Sequence, residues 1–242
     1  MTVSGILMDF GERYGDAEAR KYLHTHSHRY ETLLRFVADA IVGSSSDPVR
    51  VLDVGPAYEV EAIRVLHPSA VIDTIGWHDP RFPARAGERH AELDLNDSDD
   101  SGNWPSLEPY DVVVCAEVIE HLYTSPLHLL RLIASLLRPE GRVVLQTPNA
   151  AALARRFHLL LGRNPFEPIR ENRRHPGHFR EYTVDELRRL AGRAGLEVVE
   201  VRLENYFLSG SRKNRVLVVA ASPLFPPRLR QGITMKLRKA KR

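Results

Sequence analysis

The chain has 242 residues, 43% apolar and 27% charged, with one cysteine (Cys115) and a formal net charge of +3. That length suits one sizeable α/β domain with or without a small appendage, and the composition excludes a disulfide-stapled scaffold and a low-complexity chain. No apolar run approaches the ~20 residues of a membrane span, and Asp9 and Glu12 near a start without basic residues do not read as a secretory leader. With a single thiol as well, a cytoplasmic location is expected.

Residues 1–20 show little periodicity and are expected to form an irregular arm. Over residues 18–42, Tyr22, Leu33, Leu34, Phe36, Val37, Ala40 and Ile41 suit one or two amphipathic helices, closed by the loop Gly43-Ser44-Ser45-Ser46-Asp47-Pro48. Residues 1–48 thus read as a helical arm or cap. Inside it, His24-Thr25-His26-Ser27-His28 puts imidazoles at i and i+4 on one helix face, where they can ligate zinc, contact a substrate or stand in solvent. No third ligand is evident, so no metal is assigned.

Val49, Val51, Leu52, Asp53 and Val54 form an apolar run with one acid inside it, which stops at Gly55-Pro56 before a helical pattern of Val60, Ile63, Arg64 and Leu66. This is a buried parallel strand turning tightly into a helix, which brings bare N–H groups and a helix dipole to one point. A second strand spans 70–76. A third spans 88–93 and ends at Asp94-Leu95-Asn96. The fourth, 110–115, is an unbroken apolar run followed by Ala116-Glu117-Val118-Ile119-Glu120-His121-Leu122. An amphipathic helix over 124–137 and a Pro139-Glu140-Gly141 turn lead to a fifth strand, 142–146, closed by Thr147-Pro148-Asn149.

A helix over 150–161 stops at Gly162, and an Arg- and Pro-rich loop follows. Thr183 and Glu186 form a capping-box pattern opening the last helix, which ends at Gly195. Strands over 196–203 and 215–221 are joined by too short a segment for a crossover helix, so they should pair antiparallel. Residues 226–242 hold seven basic residues and no acid, and subtracting them from +3 leaves −4 for the rest. Residues 223–242 are expected as a basic tail, solvated or resting peripherally on an anionic membrane.

Four stretches, in this order and spacing, resemble the class I S-adenosylmethionine-dependent methyltransferases: Val51-Leu52-Asp53-Val54-Gly55, Ala91-Glu92-Leu93-Asp94-Leu95-Asn96, the run from Tyr110 to Leu122, and the run from Leu137 to Asn149. The resemblance implies an α/β fold, a Rossmann-like seven-stranded mixed sheet with antiparallel strand 7 and helices on both faces. It places a methyltransferase domain over 49–222 with an acceptor lid inserted at about 150–182. It also implies S-adenosyl-L-methionine as cofactor. Asp53, Gly55 and Pro56 would serve at the first loop, Asp94 on the adenine amino group, the Leu95 N–H on a ring nitrogen, and Ala116 and Glu117 beside the fourth strand. This chain departs from the family where the second and third loop glycines are replaced by Ala57 and Glu59. The ribose-binding acid position falls on Gly76, leaving Asp79 as the nearest substitute.

The run after the fourth strand resembles the small-molecule branch of the family, quinone O-methyltransferases included, and lacks the Asn-Pro-Pro-Tyr type motif of some nucleic-acid and protein methyltransferases. That implies O-methylation of a small-molecule acceptor such as a sugar, glycolipid or secondary metabolite. His121 and His178 are the candidate catalytic bases, because imidazole titrates near neutrality; Glu117 and Glu120 could orient His121 or help hold a divalent cation. Two rivals stand beside this reading. A non-catalytic scaffold is motivated by Ala57, Glu59 and Gly76. An RNA methyltransferase is motivated by the basic tail and arginine loop, although no stacking aromatics are interleaved there.

Overall fold

The computed structural model describes residues 3–13, 17–172, 176–206 and 226–240. Its strands are β1 (Arg50–Val54), β2 (Val71–Gly76), β3 (His90–Glu92), β4 (Tyr110–Ala116), β5 (Leu137–Pro148), β6 (Leu196–Glu204) and β7 (Gly232–Lys239). Its helices are α1 (Val3–Arg13), α2 (Ala17–Val42), α3 (Tyr58–Leu66), α4 (Pro126–Leu136), α5 (Leu153–Leu160) and α6 (Val184–Arg193). The sheet runs in the order β3-β2-β1-β4-β5-β7-β6. The first five strands pair parallel, and β7 lies between β5 and β6, antiparallel to both. This is the Rossmann-like mixed sheet expected from the sequence.

Alternation along the strands sorts the apolar residues into two cores. Val51, Ile72, Val112, Val114 and Val144 pack with α1, α2 and α3. Leu52, Val54, Val113, Cys115, Val143 and Leu145 pack on the opposite face with α4 and α6. With both faces covered, the central strands favour apolar residues on both sides, hence their nearly continuous runs. Towards the amino ends of these strands, Asp73 accepts from the Arg50 guanidinium (2.6 Å), the Tyr110 hydroxyl (2.8 Å) and the Arg89 N–H (2.8 Å), tying β1, β2 and β4 together.

Three expectations change. The irregular arm over residues 1–20 contains a helix, α1, because Ile6, Leu7 and Phe10 form a short apolar stripe buried against α2 and α3. The turn at Pro139-Glu140-Gly141 lies within β5, which already pairs Leu137 with Tyr110 and then shifts register before Arg142 meets Val112. The basic tail supplies β7. Ile233, Met235 and Leu237 alternate with polar residues and are fully buried, while Lys236 pairs with Asp39 and Glu200 and Arg238 with Glu197. The strand expected over 215–221 lies outside the described residues.

Candidate functional site

The order of the parallel strands reverses between β1 and β4, and the crevice opens at their carboxyl ends. It has two lobes. One, of about 860 Å³, is walled by Gly55, Pro56, Asp79, Asp94, Leu95, Glu117 and His121, with Ile169, Arg170, Gly177 and Phe179 from the segment between α5 and α6. The other, of about 520 Å³, shares Gly55, Glu117 and His121 and adds Tyr22, His26, Arg29, Glu59, Ala116, Arg155 and His178. All the sequence-predicted site residues except Asp53 therefore line one lobe or the other.

Gly55 sits at φ +74° and donates its N–H to Ile75 O (2.8 Å). A Cβ there would meet Val118 Cγ2 at 2.8 Å, so both conformation and space require glycine. Helix α3 follows with Ala57 as an N-cap that offers no side-chain acceptor, which leaves the first-turn N–H groups without that partner. Behind the loop, Asp53 is fully buried, and neither carboxylate oxygen has a hydrogen-bond partner. Burial, and then the charge of Glu59, push its pKa well up. Asp53 thus lies behind the loop and does not line either lobe.

Gly76, at the position where the family places a ribose-binding acid, has φ +138°, which L side chains rarely adopt, and lies against the Gly55 backbone. The backbone itself excludes a carboxylate there. Asp79 stands on the cavity wall, clasped by Arg81 through Nε (3.0 Å) and Nη2 (2.6 Å). Burial raises its pKa, but the Arg81 hydrogen bonds and charge outweigh burial and hold it below the ordinary carboxylate value.

Asp94 caps the 3-10 turn over Leu95–Asp99, its Oδ1 accepting from the Asn96 backbone N–H (3.1 Å) and side-chain amide (3.0 Å). Asn96 Oδ1 in turn accepts from Tyr123 N–H (2.9 Å), which fixes this loop against the segment after β4. Glu117 adopts φ +56°, an uncommon conformation for a non-glycine residue, with its N–H donated to Gln146 O (2.8 Å). Its Oε1 is buried without a partner, and burial, then the Glu120 charge, push its pKa up to about 8.

His121 Nδ1 lies 2.8 Å from Gly177 O, and because a carbonyl only accepts, Nδ1 is the donor, which in the neutral ring makes Nε2 the acceptor. His178 packs edge-on against it, ring centroids 4.8 Å apart, with Nδ1 held 2.8 Å from Glu181. Burial and the neighbouring His121 lower the His178 pKa to about 4, so it is neutral at neutral pH. Glu120, His121 and His178 each bring a ligand atom within 4.8 Å of the others, and Glu120 Oε1 is buried with no partner. Among the described residues these are the ones that could hold a divalent cation.

The histidine run of α2 splits. His26 stacks on Tyr22 at 4.1 Å and lines the second lobe, His24 is exposed, and His28 faces Glu31 and Glu204. Sequence reasoning missed Arg29, which is buried beside Glu59 in that lobe. Arg29 donates to Gln146 Oε1 (3.2 Å) and the Tyr22 hydroxyl (3.3 Å), while Gln146 donates to Thr234 (2.9 Å). The signal was an arginine on the stripe of Tyr30, Leu33, Leu34 and Val37, and a glutamine ending an apolar strand.

Residues 22–201 match the family described as "Methyltransferase domain". No curated protein matches the chain. Among solved structures, an S-adenosylmethionine-dependent methyltransferase from Archaeoglobus fulgidus aligns with a TM-score of 0.59 at 16% identity, covering 93% of this chain and 100% of that one. Magnesium protoporphyrin IX methyltransferase from Synechocystis PCC 6803, with bound S-adenosylhomocysteine, aligns at 0.54 and 13%, covering 88% and 84%. The N-methyltransferase NodS from Bradyrhizobium japonicum WM9 aligns at 0.51 and 16%, covering 89% and 96%. At these identities the likeness is one of fold.

Proposed function

Because the chain belongs to the methyltransferase-domain family, we propose that it uses S-adenosylmethionine to methylate a hydroxyl of a small molecule in the two-lobed cleft. The observation that carries this reading is the convergence of the Gly55 turn, Asp94 and Glu117 on one crevice at the β1/β4 switch point. When bound, the cofactor supplies a sulfonium methyl with its leaving group already in place, so the protein has chiefly to align the acceptor and remove its proton.

The residues fit such a cofactor. Gly55 keeps side chains out of the loop, Asp94 and the Leu95 N–H would hold adenine, and Asp79 would take the ribose hydroxyls. Arg29 and Glu59, neighbours in the second lobe, match the carboxylate and ammonium of an amino-acid end. His121, through Nε2 of its neutral ring, would accept the acceptor's proton, and neutral His178 would keep positive charge away from it. The basic segment offers less to an RNA acceptor than its composition suggests, since Lys236 and Arg238 are engaged by Asp39, Glu200 and Glu197.

On an acceptor found by a labelled-methyl screen of hydroxyl compounds, His121→Ala should lower kcat roughly 10²-fold or more, as expected for a general base, with cofactor affinity unchanged. Unchanged kcat would remove His121 from this role, and a screen returning only amine acceptors would overturn O-methylation. The ligand set of Glu120, His121 and His178 favours a second reading, in which a divalent cation lowers the acceptor's pKa. Sensitivity of turnover to chelators separates the two.

A further inference from the structure

Helix α5 carries its apolar stripe on the outside. Leu153, Phe157, Leu160 and Leu161 recur at i, i+4, i+7 and i+8, on one face, and are 38%, 57%, 83% and 52% exposed. No residue of α5 is buried. A two-turn helix is marginal in water, and its stability in a folded protein normally comes from packing this very stripe. Arg155, on the opposite side of the helix, faces the cleft: it lines the second lobe, pairs with Glu181 and lies over the Phe166 ring at 5.5 Å.

Charge identifies what covers the stripe. Between Glu140 and Glu167 the chain contains no acidic residue, whereas Arg156 and Arg163, both exposed, flank the stripe. A second copy of the chain packed stripe to stripe would bring these arginines together with no carboxylate between them. An anionic lipid surface supplies both an apolar layer for leucine and phenylalanine and negative charge for arginine, the pairing seen in helices that lie in the membrane interface.

We propose that α5 is an interfacial helix that docks the protein on anionic bilayers through Phe157, Leu160 and Leu161, with Arg156 and Arg163 at the headgroups. The contact is on the α5 surface, not on residues 232–239, which are taken up by β7. Docking there sets the mouth of the second lobe at the lipid–water boundary, where an acceptor carrying an apolar chain would be within reach. That last consequence rests on the reading of the cleft as the acceptor site; the docking itself does not.

The test is co-sedimentation of the full chain with phosphatidylcholine vesicles, with and without phosphatidylglycerol, for the parent, for Phe157→Glu/Leu160→Glu and for Arg156→Glu/Arg163→Glu. S-adenosylhomocysteine titration of each variant monitors the cleft separately, so failure of cofactor binding and failure of docking are read independently. The parent should sediment with phosphatidylglycerol-containing vesicles, the apolar variant should bind about tenfold more weakly or worse, and the charge variant should lose the preference for anionic lipid. Absence of sedimentation, equal binding by the apolar variant, or a concentration-dependent dimer that the apolar variant abolishes would each overturn the proposal, the last by assigning the face to a second copy.

Discussion

Glu59, in the first turn of α3, stands where the resembling family keeps a loop glycine, and it carries a titration of its own. It is 1% exposed, and burial pushes its pKa from 4.5 up to about 7, against the opposing charge of Arg29 from α2 and with a further rise from Glu117. The folded state therefore holds a proton that the unfolded chain releases as pH rises from about 4.5 to about 7, so this residue's contribution to stability falls through that window. Glu59→Gln should flatten the dependence, leaving the variant more stable than the parent above neutrality by on the order of 3 kcal/mol, in urea melts at stepped pH. If Glu59 meets the ammonium of a bound cofactor, parent affinity should also rise up to about pH 7 and the variant's should not; an unchanged affinity profile would remove that contact. At this scale the placement of Asp94, Leu95, Ala116 and Glu117 at the crevice was legible because each ends or follows a strand in a recognisable run. The conformation of Gly76 and the burial of Arg29 were not, since φ and depth depend on neighbours distant in sequence: Gly76 lies against Gly55, and Arg29 reaches Gln146.

Among the elements, β7 shows how charge can hide a strand. Residues 232–239 alternate Ile, Met and Leu with Thr, Lys and Arg, the period-2 pattern of a buried strand, but the basic residues gave the segment the look of a solvated tail. Acids on neighbouring elements make the placement possible: Asp39 in α2 and Glu200 and Glu197 in β6 take up Lys236 and Arg238. Leu237→Ala should accordingly cost about 2–5 kcal/mol, as for a fully buried leucine, when measured by denaturant unfolding. A loss within about 0.5 kcal/mol, typical of an exposed position, would contradict the strand. Helix α1 was overlooked for the opposite reason, because its stripe is too short to register as periodicity and acquires meaning only against α2 and α3. The capping box at Thr183 and Glu186 was legible in full, since both partners lie within one turn.

Over the whole molecule, the order of the motifs determined the sheet. Apolar runs covered on both faces, each parallel strand closed by a polar turn, leave few alternatives to a doubly covered sheet with its crevice at the β1/β4 reversal. The division of that crevice into two lobes was not legible. It depends on α2 supplying Tyr22, His26 and Arg29 from one side and the segment after α5 supplying Arg170, Gly177 and Phe179 from the other. The same assembly explains why two departures from the family's glycine loop leave room for a ligand: Ala57 is small, and the buried carboxylate of Glu59 lines the second lobe beside Arg29.

The most direct test of the cleft as a cofactor site is calorimetric titration of S-adenosylmethionine and S-adenosylhomocysteine into the parent and Asp94→Asn proteins. Asparagine can still cap the turn over Leu95–Asp99, so the variant isolates the carboxylate. The expected result is micromolar binding by the parent, weakened by about 1–3 kcal/mol in the variant, the cost of leaving a buried polar partner unmet. Absence of binding by correctly folded parent protein, or equal binding by both, would contradict the assignment.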